Sequence, residues 1–226
     1  MQKGILYVVP TPIGNLGDIT LRGLEVLKQA DKIYCEDTRV TGKLLQFYEI
    51  KKPLKSLHQN NEHYAIPKIA EEIEQNQTSV YCSDAGTPGI SDPGFMLIRY
   101  CIENGIKVEC LPGATALIPA LVISGLPCDK FVFEGFLPHK KGRETKIKAL
   151  IDEARTIVLY ESTHRIHKTI EQLNVFLGDK RKVAIVRELT KMFEEVIRGT
   201  LAEVNAEIKN KELKGEIVIV IEGKDA

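Results

Sequence analysis

The sequence predicts two α/β domains, the first built on a mostly parallel sheet and the second on a mixed one. Two observations carry this. Through the first half, short apolar strand-like runs alternate with segments whose apolar residues recur at helical spacing, the pattern of a parallel sheet covered by helices. Beyond Gly125-Leu126-Pro127-Cys128-Asp129, strands predominate and helices intervene. That stretch is the best boundary, so the expected domains are residues 1–125 and 126–226.

Ile5 to Val9 reads as a strand. Leu21, Leu24, Leu27 and Ala30 follow at helical spacing behind Thr20, a side chain suited to cap a helix. Lys32 to Cys35 is a short strand, and Leu44, Leu45 and Phe47 mark the next helix. Ile66, Ile69, Ala70 and Ile73 form an apolar helical stripe. Thr78 to Cys82 and Ile106 to Leu111 are strands, with a helix through Met96, Leu97, Tyr100 and Cys101 between them. A helix after Pro112 ends near Gly125. In the second half the expected strands are Phe131 to Phe133, Thr156 to Tyr160, Val183 to Val186, Val196 to Thr200 and Ile217 to Ile221. Helices pass through Ile147, Leu150 and Ile151, then Ile166, Ile170, Leu173 and Leu177, and finally Leu201, Val204 and Ile208.

Three strands empty into loops of small residues: Pro10-Thr11-Pro12-Ile13-Gly14-Asn15, Ser83-Asp84-Ala85-Gly86-Thr87-Pro88-Gly89-Ile90-Ser91-Asp92-Pro93-Gly94, and Pro112-Gly113-Ala114-Thr115-Ala116. Few side chains stand in the way, so main-chain groups can close on a ligand, while prolines fix part of each loop's shape. Strand-to-helix turns use Gly and Pro in any case. Three such junctions together point to one ligand site at the carboxyl edge of a sheet.

Bulk properties narrow the function classes. A length of 226 residues is ample for real cores. Formal net charge is zero, so a polyanion has to be held by local basic patches rather than by the field of the whole chain. The five cysteines are odd in number and form no CxxC, as free thiols do. No run approaches membrane-spanning length and no leader pattern opens the chain, which reads as soluble and cytoplasmic. There is no GxxxxGK[ST] stretch, no GxGxxG after the first strand, and no metal-ligand spacing among histidines and cysteines. The expected ligand is therefore not held by phosphates, and no metal is expected.

Longer stretches resemble the 16S ribosomal RNA 2′-O-methyltransferases of the tetrapyrrole methylase superfamily. The matching segments are Leu6-Tyr7-Val8-Val9-Pro10-Thr11-Pro12-Ile13-Gly14-Asn15-Leu16, Glu36-Asp37-Thr38-Arg39, Ser83 to Pro88, Ser91 to Gly94 and Leu111-Pro112-Gly113-Ala114. Gly135-Phe136-Leu137-Pro138, Tyr160-Glu161-Ser162-Thr163-His164-Arg165, Arg187-Glu188-Leu189-Thr190-Lys191 and Lys214-Gly215-Glu216 follow in family order. The resemblance implies S-adenosylmethionine as methyl donor in a cleft between two domains, with S-adenosylhomocysteine as product. It implies a substrate, the 2′-hydroxyl of a cytidine in the decoding centre of 16S ribosomal RNA within the 30S subunit, and a homodimer. A superfamily relative acting on a tetrapyrrole or a modified protein side chain, or an idle donor-binding protein, are the rival readings.

By the same resemblance, donor contacts fall on Pro12 and Gly14, on Ser83, Asp84, Ala85 and Ile90, and on Thr115 and Ala116. From the second domain they fall on Leu159, Tyr160, Glu188 and Leu189. A ribose hydroxyl is a weak acid, so a positioned base helps. His58 matches the family's His-x-x-Asn-Glu pattern and could be that base, or Glu62 could, with Asn61 holding a ribose or base edge. Alternatively Asn61 or Glu62 starts the following helix. Asp37 or Thr38 suits a helix cap, which leaves Glu36 and Arg39 to face the site. Glu161 with Arg165 reads as a substrate-orienting pair or an ordinary ion pair.

RNA contact is expected from Lys140, Lys141, Arg143 and Arg165, within a basic segment that also holds His139, Lys146 and Lys148; Lys51, Lys52 and Lys55 precede His58. A solvated helix face is the plainer reading of such a run. Thr163 stands where the family usually has proline, and Met192-Phe193 replaces its usual residues. Many members continue well past the last strand, whereas this sequence stops soon after Gly223, so the expected RNA grip is smaller.

Overall fold

Five short runs of the first half lie side by side, every pair parallel: β1 (Ile5–Val8), β2 (Lys32–Cys35), β3 (Leu54–Ser56), β4 (Thr78–Cys82) and β5 (Lys107–Cys110), in the order β3-β2-β4-β1-β5. The computed structural model describes residues 4–75 and 78–224. Parallel neighbours need crossover connections, supplied by α1 (Leu21–Gln29), α2 (Thr38–Phe47), α3 (Glu62–Gln75) and α4 (Phe95–Glu103). Thr20 caps α1 by accepting the Gly23 N–H at 2.9 Å, and Asp37 caps α2 by accepting the Arg39 N–H at 2.8 Å.

Strands β2 and β4 are buried on both faces, which is why they do not alternate between apolar and polar residues. Val9, Ile33, Cys35, Val80 and Cys82 pack with Val26, Leu27 and Leu45 of α1 and α2. Leu6, Tyr34 and Tyr81 face the other way, against Ile66, Ile69, Ile73, Leu97 and Cys101 of α3 and α4. Helices α1 and α2 therefore cover one face, and α3 and α4 the opposite one.

The second sheet holds β6 (Phe131–Phe136), β7 (Thr156–Glu161), β8 (Lys182–Arg187), β9 (Glu195–Thr200) and β10 (Ile217–Ile221), ordered β6-β7-β10-β8-β9. Only β6 and β7 are parallel; the other pairs are antiparallel, so the sheet is mixed. Ile217, Ile219 and Ile221 share one core with α6 (Arg143–Ala149), α7 (Ile166–Leu177) and α8 (Leu201–Ile208). The expected strands of this half form, most of them a residue or more longer than expected, and so do the helices, although α6 ends at Ala149, before Leu150 and Ile151.

The two sheets belong to separate units, divided after Thr115 rather than at residue 125. The reason is α5 (Leu117–Ser124), which packs on β8, β9 and β10 of the second sheet. Arg198 of β9 also donates to the carbonyls of Ser124, at 3.2 Å, and Ile123. The Gly125-Leu126-Pro127 turn is thus internal to the second unit.

A carboxylate on α3 fastens that helix to the first sheet. Glu72 accepts from Lys55 Nζ at 2.6 Å, Lys32 Nζ at 2.9 Å and Tyr34 Oη at 3.0 Å, which binds β2 and β3 to α3. Burial acts to raise its pKa, but the three donors outweigh burial and hold it at about 2. A depressed carboxylate stabilises above its unfolded value, about 4.3, and that contribution disappears as pH falls toward about 2. Glu72→Gln is expected to lower the urea midpoint at neutral pH by the equivalent of about 1–2 kcal/mol. The gap between the two proteins should narrow in acid; a gap that ignores pH contradicts the assignment.

Candidate functional site

In the first sheet the chain leaves β1 through α1 toward β2, and leaves the neighbouring β4 through α4 toward β5. Departure in opposite directions from adjacent strands opens a crevice at their carboxyl ends, where open α/β sheets bind ligands. The three small-residue loops meet at this edge. Thr11, 2% exposed, donates its N–H to Gly86 O at 3.0 Å and accepts the Gly86 N–H at 2.9 Å. Its hydroxyl donates to Ser83 O at 3.1 Å. Thr87 Oγ1 donates to Ala114 O at 3.0 Å, tying the second loop to the third. A Cβ on Gly113 would lie 2.6 Å from Pro10 Cβ, so only glycine lets the third loop rest on the first.

This edge brings together Pro12, Gly14, Ser83, Asp84, Ala85, Ile90 and Thr115 from the first unit. Pro12 and Ser83 are buried; Gly14 and Ile90 are exposed; Asp84 and Ala85 are half-buried. Ala116 starts the second unit at the head of α5.

An acidic cluster stands at the ends of β2 and β4. The Asp37 N–H donates to Asp84 Oδ1 at 3.0 Å. Glu36 is half-buried, and its pKa is raised, first by burial and then by the charge of Asp84; a backbone bond from Asp84 and the charge of His58 pull the other way. Burial likewise raises Asp84, against the hydrogen bond from Asp37. Arg39 meets this cluster at its exposed rim: its guanidinium pairs with Asp37, at 2.6 Å for Nη2 to Oδ2, the bonds from Arg39 hold the Asp37 carboxyl down at about 2, and its charge also lowers Asp84.

His58 follows β3 in a turn fixed by Asn61, whose Oδ1 accepts the His58 N–H at 2.8 Å and whose amide donates to Ser56 O at 3.3 Å. Asn61 is thereby engaged locally rather than free for a substrate edge. The His58 Nδ1 atom is buried and has no hydrogen-bond partner among the described residues. Glu62, 7% exposed, opens α3 and accepts the Gly94 N–H at 2.8 Å. Through that contact one carboxylate oxygen of Glu62 anchors the end of the second loop. Gly94 has φ +121 and its Cα faces the Tyr81 ring, so a side chain there would collide.

In the second unit, Ile217 pairs with Glu161 on one side and Arg187 on the other, so the carboxyl ends of β7 and β8 share one sheet edge. Leu159 and Tyr160 lie in β7 just before its last residue, Glu161, and Glu188 and Leu189 follow β8. The Leu159 side chain is fully buried in the core, which leaves only its main chain for a ligand. Glu188 has φ +52 and its Oε1 accepts from the Glu216 N–H at 2.9 Å and from Lys191 Nζ at 3.0 Å. That oxygen ties the loop after β8 to the segment before β10.

The basic segment divides in two. Lys140 and Lys141 are exposed, and no ion pair involves them among the described residues. Lys146 pairs with Glu134 and Lys148 with Glu144, so these belong to a solvated helix face. Arg143 is 5% exposed, donating to Gln172, Pro138 O and Thr169. Arg165 donates to Leu137 O at 3.0 Å and pairs with Glu161 at 2.7 Å. The expectation that Arg143 meets RNA phosphates is corrected by this burial, and Arg165 is largely spent on the same interior. The sequence reading also passed over Thr11, Thr169 and Gln172. Thr11 carried a signal, a hydrogen-bonding side chain between two prolines; the other two partners lie on α7, and nothing local marks them.

A doubly wound parallel sheet with this loop-lined edge, followed by a mixed sheet, defines a methylase architecture. Residues 5–205 match the family of Tetrapyrrole (Corrin/Porphyrin) Methylases, and the chain belongs to it. The crystal structure of diphthine synthase shares the fold with a TM-score of 0.74 at 16% identity, over 96% of this chain and 90% of that one. Uroporphyrin-III-C-methyltransferase from Thermus thermophilus does so with a TM-score of 0.68 at 18% identity, over 98% and 93%. Within the family the chain is similar to Ribosomal RNA small subunit methyltransferase I of Haemophilus influenzae, 48% identical over 98% of this chain and 79% of that protein. The protein of the same name from Thermotoga maritima is 44% identical, over 98% of this chain and 100% of its own length.

The role given to Glu62 is open to a direct check. Glu62→Gln keeps an acceptor for the Gly94 N–H and is expected to melt close to the parent temperature. Glu62→Ala orphans that buried N–H and should lose about 1–3 kcal/mol. Equal losses in both variants contradict the anchoring role.

Proposed function

We propose that this protein transfers a methyl group from S-adenosylmethionine to the 2′-hydroxyl of a cytidine in the decoding centre of 16S ribosomal RNA, acting on the 30S subunit in the cytoplasm as a homodimer. The relatives that share nearly its full length carry the name of ribosomal RNA methyltransferases. The structural observation that carries the reading is the half-buried Glu36, its pKa raised, at the carboxyl edge where the three loops converge. Exposed Phe95, Met96 and Ile102 on α4 support a further contact such as a second copy.

The residues at that edge suit this donor. The three loops contain no lysine or arginine and include the carboxylate of Asp84, a set fitted to a cation without phosphate. Their side chains are small, which leaves main-chain groups of Pro12, Ser83, Asp84, Ala85 and Thr115 for an adenosine and an amino-acid tail. Bound there, S-adenosylmethionine supplies an electrophilic methyl on a sulfonium. Main-chain groups of Leu159, Tyr160 and Leu189 complete the proposed donor contacts.

Glu36 is the proposed proton acceptor. It takes the proton of the ribose hydroxyl as that oxygen gains the methyl, and S-adenosylhomocysteine is released. Burial and the neighbouring Asp84 charge make Glu36 a stronger base than an exposed carboxylate. Lys140 and Lys141 give the RNA backbone a local positive surface on a chain of zero net charge.

The test uses labelled donor and 30S subunits that lack the modification. Label should enter one cytidine ribose; label entering a porphyrin precursor instead, or donor binding with no acceptor labelled, overturns the reading. Glu36→Gln is expected to reduce kcat by about 10²–10⁴-fold while donor affinity persists. A base must be ionised, so activity should fall as pH drops through a value above the ordinary carboxylate range, and Glu36→Gln should remove that limb. An unchanged profile dismisses Glu36. Charge reversal at Lys140 and Lys141 should flatten the salt dependence of RNA binding by about one unit per lost phosphate contact; an unchanged slope returns both to a solvated face.

A further inference from the structure

A buried ion cluster lies beneath the exposed segment that joins β6 to α6. Glu161, Thr169 and Arg143 are 3%, 0% and 5% exposed. Thr169 Oγ1 donates to Glu161 Oε2 at 2.6 Å and accepts from Arg143 Nη2 at 2.6 Å. Arg165 Nη2 meets Glu161 Oε1 at 2.7 Å, and Gln172 Oε1 accepts from Arg143 Nε at 2.8 Å. Each arginine then spends a further N–H on a main-chain carbonyl: Arg165 Nη1 on Leu137 O at 3.0 Å, and Arg143 Nη1 on Pro138 O at 3.2 Å.

Those two carbonyls are consecutive, at a strand end where water would ordinarily satisfy them. The strand is already re-aimed just before this point, by a register shift between Phe133 and Gly135, with Gly135 at φ +62. Phe136 then stands 53% exposed, with its ring edge-on to Tyr160 at 5.7 Å, while Leu137 is buried and Pro138 to Lys141 are exposed. Apolar residues of similar volume would stabilise such an interior as well or better, so a buried ion cluster is better explained by the geometry it fixes. Two guanidiniums against one carboxylate also leave the cluster net positive directly under the segment, favourable for an anionic partner.

We propose that Arg143 and Arg165, held by Glu161 and Thr169, are positioning residues that fix the Phe136–Lys141 segment so that Lys140, Lys141 and the Phe136 ring meet RNA. They touch no phosphate themselves. The proposal rests on the reading of the protein as an RNA methyltransferase.

The experiment compares the full-length protein with Arg165→Met and Thr169→Val. Backbone order parameters for residues 137–142 should be about 0.85 in the parent and fall below about 0.6 in the variants. KM for unmodified 30S subunits should rise about tenfold with kcat and S-adenosylhomocysteine affinity held within about twofold. The slope of RNA affinity against salt should fall alike in Arg165→Met and Thr169→Val, because both release the segment that carries Lys140 and Lys141. A slope that falls for Arg165→Met alone makes it a direct phosphate contact and overturns the proposal. So does a parent segment already below about 0.6, a measurement that decides the matter even if neither variant folds. Loss of kcat and donor affinity with KM unchanged overturns it as well. If no subunit is methylated yet RNA affinity still drops in the variants, the activity reading fails and the positioning role stands. If subunits are methylated and both variants bind RNA as the parent does, the positioning role fails alone.

Discussion

The site depends on one short piece of main-chain pairing, the reciprocal hydrogen bonds between Thr11 and Gly86 at 3.0 and 2.9 Å. They form an isolated antiparallel bridge beyond the ends of the parallel strands β1 and β4, so the first and second loops form one surface. The buried Thr11 hydroxyl on Ser83 O locks the same junction from the side. Without it, two glycine- and proline-containing loops would have to be ordered separately, at roughly 1–2 kcal/mol of backbone entropy per residue. The third loop is added through Gly113 against Pro10 and Thr87 on Ala114.

Charge is used differently in the two units. At the edge of the first, carboxylates are gathered and partly desolvated, so that Glu36 and Asp84 both hold protons more tightly than exposed acids. Arg39 pairs with Asp37, and its charge offsets only part of the rise at Asp84. Beneath the second unit's exposed segment, by contrast, the carboxylate of Glu161 is outnumbered by Arg143 and Arg165. The proposed methyl transfer to an RNA hydroxyl asks for both arrangements, a base where the proton leaves and a firm positive surface where the backbone rests.

Much of this was legible in the sequence. β10 and the middle of β8 are continuous apolar runs, and Thr20 and Asp37 announce helix starts; both caps form as expected. The loops' convergence followed from their shared position after parallel strands. What failed to show depends on contacts distant in the chain. Glu62 reads as a free acid beside His58 until Gly94, far along the sequence, takes its oxygen. Arg143 sits in a run of lysines and reads as solvated, because its partners Thr169 and Gln172 lie on another helix. The unit boundary was misjudged because the α5 sequence, Leu-Ile-Pro-Ala-Leu-Val-Ile-Ser, is apolar all round and does not say which sheet it covers.

The most direct test of the account is an amide chemical-shift titration of the protein with S-adenosylhomocysteine. The largest perturbations are expected at Thr11, Asp84, Ala85, Gly86 and Thr115, saturating together with one affinity. Perturbations confined to other parts of the chain, with these amides unmoved at saturation, would contradict it.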